Sequence, residues 1–403
     1  MNKGFASLHP YPFARLDTLL KDLSPPATRP ILRLSIGEPQ HAPPEQVLQA
    51  LVESLPTVKN YPLTKGSIEL RRAQADWMRR RYALGVLDPE QHVLPVNGTR
   101  EGLFSVAQTL IDANADSLVG MPNPFYQLYE GASLLAGAEP LYMRCDAERG
   151  FLPDPEAIAD ADWRRLRLIY LCTPGNPSGG VFGDDLFKAF IERAQEFDVV
   201  IVSDECYSEI YPQEDRPPSG ILAACEAIGL SDYRNCLSMH SLSKRSNLPG
   251  LRSGFVAGDA ALISKFTQYR SYHGCAMPPH HQAASTVAWS DEQHVSANRE
   301  LYRQKFAAVR ELLAPSFELD EPDGGFFYWL KTPINDQEFV RTLYSEAGVL
   351  LLPGSFLGRD NSTSHEDENV NPGSHRVRMA LVPSLEDCTE AARRMAEVAA
   401  RWK

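Results

Sequence analysis

Cysteine is scarce in this chain and shows no pattern. The seven residues are Cys145, Cys172, Cys206, Cys225, Cys236, Cys275 and Cys388. The count is odd and no pair has CxxC spacing, which argues against a disulfide framework or a zinc site and for reduced thiols in the cytoplasm. The ten histidines include no HExxH, and adjacent His280 and His281 would point apart on a helix, so no metal is expected. No apolar run approaches the ~20 residues a membrane helix needs. Residues 1–10 lack the basic-then-apolar pattern of a secretory leader. Positive charge is in deficit, with 40 Lys and Arg against 52 Asp and Glu and a formal net charge of −12. Such a chain is not expected to seek nucleic acid or an anionic membrane as a whole. Repeats and long low-complexity tracts are missing too. Residues 358–374 form the one odd stretch, polar and almost without apolar side chains, and read as an exposed loop.

What is present suits a compact protein of two or three domains: 403 residues, 43% hydrophobic. Short apolar runs at 118–120, 168–172, 199–203, 236–240 and 253–258 read as strands. Residues 126–136, 184–197 and 260–272 read as helices between them. Val199-Val200-Ile201-Val202 is β-branched throughout, as in a strand covered on both faces. This alternation predicts an α/β domain with a mostly parallel sheet. Further on come a helix over 292–313, a strand over 325–330, a helix over 336–347 and strands near Val349 and Val377. A final helix over 385–402 has Ser384 as its N-cap. These elements predict a smaller α+β domain over 286–403. Residues 1–45, punctuated by prolines, form an arm that joins it, and 46–285 form the large domain.

Several stretches carry polar groups at strand ends, where ligands of open α/β sheets bind. Ser241-Leu242-Ser243-Lys244 closes a strand, and Arg252 follows it beyond Pro249 and Gly250. Burial and a cationic neighbourhood would favour a deprotonated, nucleophilic Lys244. Ser241, Ser243 and Arg252 are residue types that bind a phosphate monoester. Asp204 ends another strand, with Tyr207 three residues on; a helix N-cap is an equally good reading of this aspartate alone. Cys172-Thr173-Pro174-Gly175-Asn176-Pro177-Ser178-Gly179-Gly180 reads as a rigid loop at a strand end. Asn97-Gly98-Thr99-Arg100 precedes an apolar helix whose first N–H groups would face an anion. Pro122-Asn123-Pro124-Phe125-Tyr126 holds an aromatic that would stack on a flat ring or pack in the core. In isolation most of these have a plain structural reading.

Taken in order, the motifs resemble the fold-type-I, class I/II aminotransferases along nearly the whole chain, from Leu34-Ser35-Ile36-Gly37-Glu38-Pro39 onward. The resemblance implies the corresponding fold, with a mostly parallel central sheet plus a smaller α+β domain, and pyridoxal 5′-phosphate (PLP) as cofactor. It implies that Lys244 is the Schiff-base lysine and general acid–base. Asp204 would pair with the pyridine nitrogen, Asn176 and Tyr207 with the phenolic oxygen, and Tyr126 would stack on the ring. Arg252, Ser241, Ser243, Gly98, Thr99 and Arg100 would surround the phosphate end. Tyr61, in Tyr61-Pro62-Leu63-Thr64-Lys65-Gly66, would reach the phosphate in a partner subunit, which makes a homodimer the expected assembly. Gly37, Asn176 and Arg378 would meet substrate, with Arg376 competing for the α-carboxylate.

Residues 35–44, 61–71, 122–132, 240–252 and the Asn371-Pro372-Gly373 turn look further like the succinyldiaminopimelate aminotransferases of lysine biosynthesis. That likeness implies exchange of an amino group between glutamate/2-oxoglutarate and succinylated diaminopimelate. Lys65, Arg100 and Arg270 are then candidates for the substrate's extra carboxylate. A broad aspartate or aromatic aminotransferase and a PLP-dependent carbon–sulfur lyase share the same cofactor residues and remain alternatives. An aminotransferase-like sensor of a transcription regulator needs a DNA-binding region for which the segment before Leu34 is too short.

Overall fold

A computed structural model describes residues 2–360 and 371–402. Its central sheet has seven strands. In chain order they are β1 (Val93–Val96), β2 (Leu118–Asn123), β3 (Glu139–Arg144), β4 (Leu166–Cys172), β5 (Val200–Asp204), β6 (Cys236–Ser241) and β7 (Gly254–Gly258). In space the order is β1-β7-β6-β5-β4-β2-β3, and β7 alone runs against its neighbours.

Alternate residues of the inner strands enter two cores, one on each face. Ile169, Leu171 and Ile201 face one, and Leu168, Tyr170, Val200 and Val202 the other. Burial on both sides explains the uninterrupted apolar runs in β4 and β5. β1 and β3 carry no plain strand signature in the sequence. These are the two edges of the sheet, and each contains a proline, Pro95 or Pro140, which an edge strand tolerates and which weakens a strand signature.

A separate core, away from the central sheet, combines Leu16, Leu32 and Leu34 with residues between Val309 and Val398. It packs around an antiparallel sheet of order β9-β10-β8, where β8 is Phe327–Lys331, β9 Leu352–Pro353 and β10 Arg376–Ala380. The helix Gln293–Leu313 flanks it. So does the helix Leu385–Ala399, whose first turn is capped by Ser384 Oγ accepting from Asp387 N–H at 3.0 Å. The helix expected over 336–347 is α-helical only over Asp336–Thr342 and continues as a π turn, Leu343–Ala347. Leu32–Arg33 pairs in parallel with Val349–Leu350. Leu34 donates to Leu350 O at 2.9 Å and accepts from Ala380 N–H at 2.7 Å. A further small cluster gathers Tyr207, Tyr302, Phe326 and Phe327.

Candidate active site

Strand direction gathers the polar motifs at one sheet edge. β2, β4, β5 and β6 are parallel, so Asn123, Cys172, Asp204 and Ser241 end on the same side. Val96 pairs with Gly254 and Gly254 with Ser241, which brings the segment after β1 and the one before β7 to that edge. A cavity of about 510 Å³ opens there. Its wall on the side of the small antiparallel sheet comes from Ile36, Gly37, Phe327, Leu352, Leu357 and Arg378.

Lys244 sits in the one-turn helix Leu242–Arg245 directly after β6. Ser241 Oγ caps this turn by accepting from Ser243 N–H at 3.1 Å, and lies 3.0 Å from Ser243 Oγ. The Lys244 amine donates to Gly37 O. Desolvation by the surrounding protein pulls the amine's pKa down to about 8; Arg378 and Arg100 push the same way, against Cys206 and Glu38.

Asp204 is 4% exposed. Its Oδ2 accepts from Tyr129 Oη at 2.7 Å and its Oδ1 from Cys206 N–H at 3.3 Å. Burial raises the carboxyl pKa, while the Cys206 and Tyr129 donors lower it. The helix-cap reading of Asp204 fails because the residues after β5 form turns and the next helix is Ile221–Ala227. Tyr129 stacks on Tyr170 with ring centroids 4.7 Å apart.

Arg378 is buried, with Nη1 donating to Asn176 Oδ1 at 2.9 Å and Nη2 to Ser35 O at 2.8 Å. Its guanidinium lies 4.6 Å over Phe327. Arg376 is turned to other partners. It donates to Asp320 and Trp329 O, both at 2.8 Å, lies over Phe151, and does not line the cavity.

Arg252 has φ +54° and donates to Pro249 O at 2.7 Å and Asn97 O at 3.4 Å. No carboxylate among the described residues pairs with it, so its charge is available to an anion. Gly98, at φ +78°, lies against it: a Cβ there would sit 2.4 Å from Arg252 Nη2. The helix Thr99–Leu110 begins at this point and turns its first N–H groups outward. Thr99 Oγ1 is 2.9 Å from Cys206 Sγ. Arg100 donates to Tyr126 Oη at 2.7 Å and Tyr11 Oη at 3.2 Å, again with no carboxylate partner among the described residues.

The cavity therefore brings together Gly37, Thr99, Arg100, Tyr126, Asn176, Asp204, Tyr207, Ser241, Ser243, Lys244, Arg252 and Arg378. Gly98 underlies it without lining it. Tyr61 is fully exposed and outside it, and Lys65 is exposed. Arg270 drops out as a ligand for substrate because it is buried, paired with Glu101 and bonded to Cys275 O at 2.6 Å. Most of the polar loop, residues 361–370, lies outside the described residues. Tyr129, Cys206 and Tyr11 belong to the site and carried no motif of their own; Tyr129 reads in sequence as one more apolar helix position.

A buried carboxylate, a desolvated amine, an aromatic wall and an uncompensated arginine beside two hydroxyls and a helix N-terminus suit a flat, cationic pyridine bearing a phosphate. Fold and site define a pyridoxal-phosphate-dependent enzyme of fold type I. The family model described as aminotransferase class I and II matches residues 29–395, and the chain belongs to that family. It is similar to an aminotransferase from Neisseria meningitidis, 43% identical with a TM-score of 0.94 over 100% of both chains. The LL-diaminopimelate aminotransferase of Maridesulfovibrio salexigens is 30% identical over 88% of this chain and 90% of that protein. A probable N-succinyldiaminopimelate aminotransferase from Thermus thermophilus superposes with a TM-score of 0.84 at 25% identity, over 96% of this chain and 100% of that one. Among the described residues no helix is long and apolar enough to cross a membrane.

Proposed function

We propose that this PLP-dependent aminotransferase acts on an amino acid of the diaminopimelate type, N-succinyl-LL-2,6-diaminopimelate, with 2-oxoglutarate and glutamate as the other pair. The observation that carries this reading is that one cavity holds the Lys244 amine and, besides Arg252 at the phosphate end, two more arginines without carboxylate partners among the described residues, Arg378 and Arg100. Two such cations suit a substrate with a carboxylate at each end. The 30% identity to LL-diaminopimelate aminotransferases favours a second reading, in which the unsuccinylated acid is the substrate.

Bound PLP supplies an electron sink for the substrate α-carbon. In the proposed roles, Asp204 faces the pyridine nitrogen, Asn176 and Tyr207 the phenolic oxygen, and Tyr126 the ring. Ser241, Ser243, Arg252 and the N–H groups after Gly98 hold the phosphate. Arg378 forks the α-carboxylate, held in place by Asn176 and Ser35 O. Lys244 Nζ, with its pKa lowered to about 8, takes the proton from the substrate α-carbon and later returns one. Arg100, steadied by two phenols, meets the distal carboxylate. Tyr61 and the exposed Val52, Leu55, Val58 and Leu63 are proposed to be covered by a second copy of the chain, giving a homodimer with shared sites. Sedimentation of a fully active monomer would refute that assembly.

The test is a single-turnover spectral titration of the holoenzyme. Glutamate, N-succinyl-diaminopimelate, LL-diaminopimelate, aspartate and tyrosine are added separately and conversion to the amine form of the cofactor is followed. Conversion by glutamate and the succinylated acid supports the first reading. Conversion by LL-diaminopimelate in place of the succinylated acid supports the second. Fast conversion by aspartate or tyrosine rejects both. Pyruvate or ammonia released without an oxo acid would indicate a lyase.

A further inference from the structure

Beside the cavity, a line of buried and half-buried polar side chains ends on the main chain of Lys244. It starts at Lys305, in the helix Gln293–Leu313, which is 3% exposed and has no carboxylate partner among the described residues. Lys305 Nζ lies 2.6 Å from His41 Nε2 and donates to Val382 O at 3.2 Å. His41 Nδ1 lies 2.7 Å from Asn298 Oδ1, which also accepts from Asn247 Nδ2 at 3.0 Å. Asn298 Nδ2 then donates to Lys244 O at 3.3 Å and Arg245 O at 3.5 Å.

The chemistry of the ends fixes the direction of every bond. Asn298 Nδ2 faces two carbonyls and only donates, so its Oδ1 accepts, the His41 proton sits on Nδ1, and Nε2 accepts from Lys305, whose own pKa burial lowers to about 8. Asn298 Oδ1 accepts that proton, which leaves its amide N–H groups for the carbonyls. Burial lowers the His41 pKa and Lys305 lowers it further, while the Asn298 bond opposes, so the ring stays neutral in this tautomer. Tyr302 packs on the His41 ring at 4.6 Å.

His41 also stands close along the chain to Gly37, whose carbonyl accepts the Lys244 amine. The arm segment 37–41 thus reaches Lys244 at its amine directly and at its carbonyl through Asn298. We propose that His41, oriented by Lys305, is a positioning residue that clasps the arm onto Lys244 and sets where its amine stands in the cavity. This rests on Lys244 being the cofactor lysine.

The variants are His41→Ala, His41→Gln and Lys305→Met in the full-length holoenzyme. Glutamine has an acceptor for Lys305 and a donor for Asn298, so it is the conservative replacement. The readouts are the pH midpoint of the visible band of lysine-bound cofactor, kcat and KM with glutamate, and the melting temperature. Groups that face the Lys244 amine, namely Cys206, Arg378, Glu38 and Arg100, are the same in all variants, as is Cys388 beside Lys305. His41→Ala and Lys305→Met are expected to shift the midpoint in the same direction. They should lower kcat by about 10- to 100-fold, as expected when a reacting group is displaced, with KM nearly unchanged. His41→Gln should restore both. A lower melting temperature with midpoint and kcat unchanged, or no recovery with glutamine, would overturn the proposal. If His41→Ala is too unstable to purify, His41→Phe keeps a ring against Tyr302 and carries the same comparison. Borohydride reduction and peptide mapping separate the two levels: a label on another lysine overturns this proposal and the reading of the site together, whereas with Lys244 labelled the variants judge the proposal alone.

Discussion

Tyr129 donates its phenolic proton to Asp204 Oδ2 at 2.7 Å, with Tyr129 fully buried and Asp204 nearly so. The bond favours the charged carboxylate that burial would otherwise disfavour. Tyr129→Phe keeps the stack on Tyr170 and removes only this donor. The expected result is a folded protein whose PLP dissociation constant rises about tenfold, equivalent to about 1.4 kcal/mol. Equilibrium dialysis against PLP checks this, and an unchanged constant would show that Asp204 does not depend on Tyr129.

The Lys244 amine, lowered to about 8 from the ordinary 10.5, is largely neutral above pH 8, where a free lysine is still protonated. Only the neutral amine attacks a carbonyl. The rate of holoenzyme formation from apoprotein and PLP should therefore rise with pH and level off just above 8 instead of climbing toward 10.5. Lys244→Arg, which keeps the charge and never loses its proton, should form no lysine-bound chromophore. It should transaminate at least about 10²-fold more slowly.

Arg378 and Arg376 make separable predictions. Arg378→Lys keeps a cation but loses the fork, so kcat/KM should fall about 10²-fold for every amino donor. Arg376→Ala removes a partly exposed pair with Asp320 and should leave KM unchanged, at a stability cost below about 1 kcal/mol. Steady-state kinetics on the two variants distinguish them, and the reverse pattern would move the carboxylate role to Arg376.

Gly98→Ala should weaken cofactor binding without touching Lys244. The new methyl meets Arg252 Nη2 and the backbone is held at φ +78°. PLP affinity should drop, while pyridoxal, which has no phosphate, should bind as well as to the wild type. An equal loss for both would place the damage elsewhere.

Much of this site was legible because its residues terminate strands that have plain apolar signatures. Asp204 follows Val200–Ser203 and Lys244 follows the run ending at Ser241, so position along the chain already implies position at the sheet edge. Arg376 and Arg378 were harder, since alternation on a strand puts both on one side; the turn of Arg376 toward Asp320 is a matter of packing. Tyr129, His41 and Lys305 were invisible as site residues. Their partners lie far away in sequence, and a tyrosine in an apolar helix or a lysine in an amphipathic one looks ordinary. Arg270 was misread for the converse reason: nothing in sequence shows that Glu101 already engages it.

The passage of Leu32–Leu34 between the segments at Val349–Leu350 and Ala380 has a consequence for synthesis. A segment made before the large sheet is sewn into a seam whose other edges are made after that sheet. Until Ala380 has emerged, Leu34 has no donor for its carbonyl, and Gly37 and His41 have no fixed place over Lys244. The large sheet has all its strands before that, so a nascent chain would have the cavity floor first and gain its roof only after β10 has emerged.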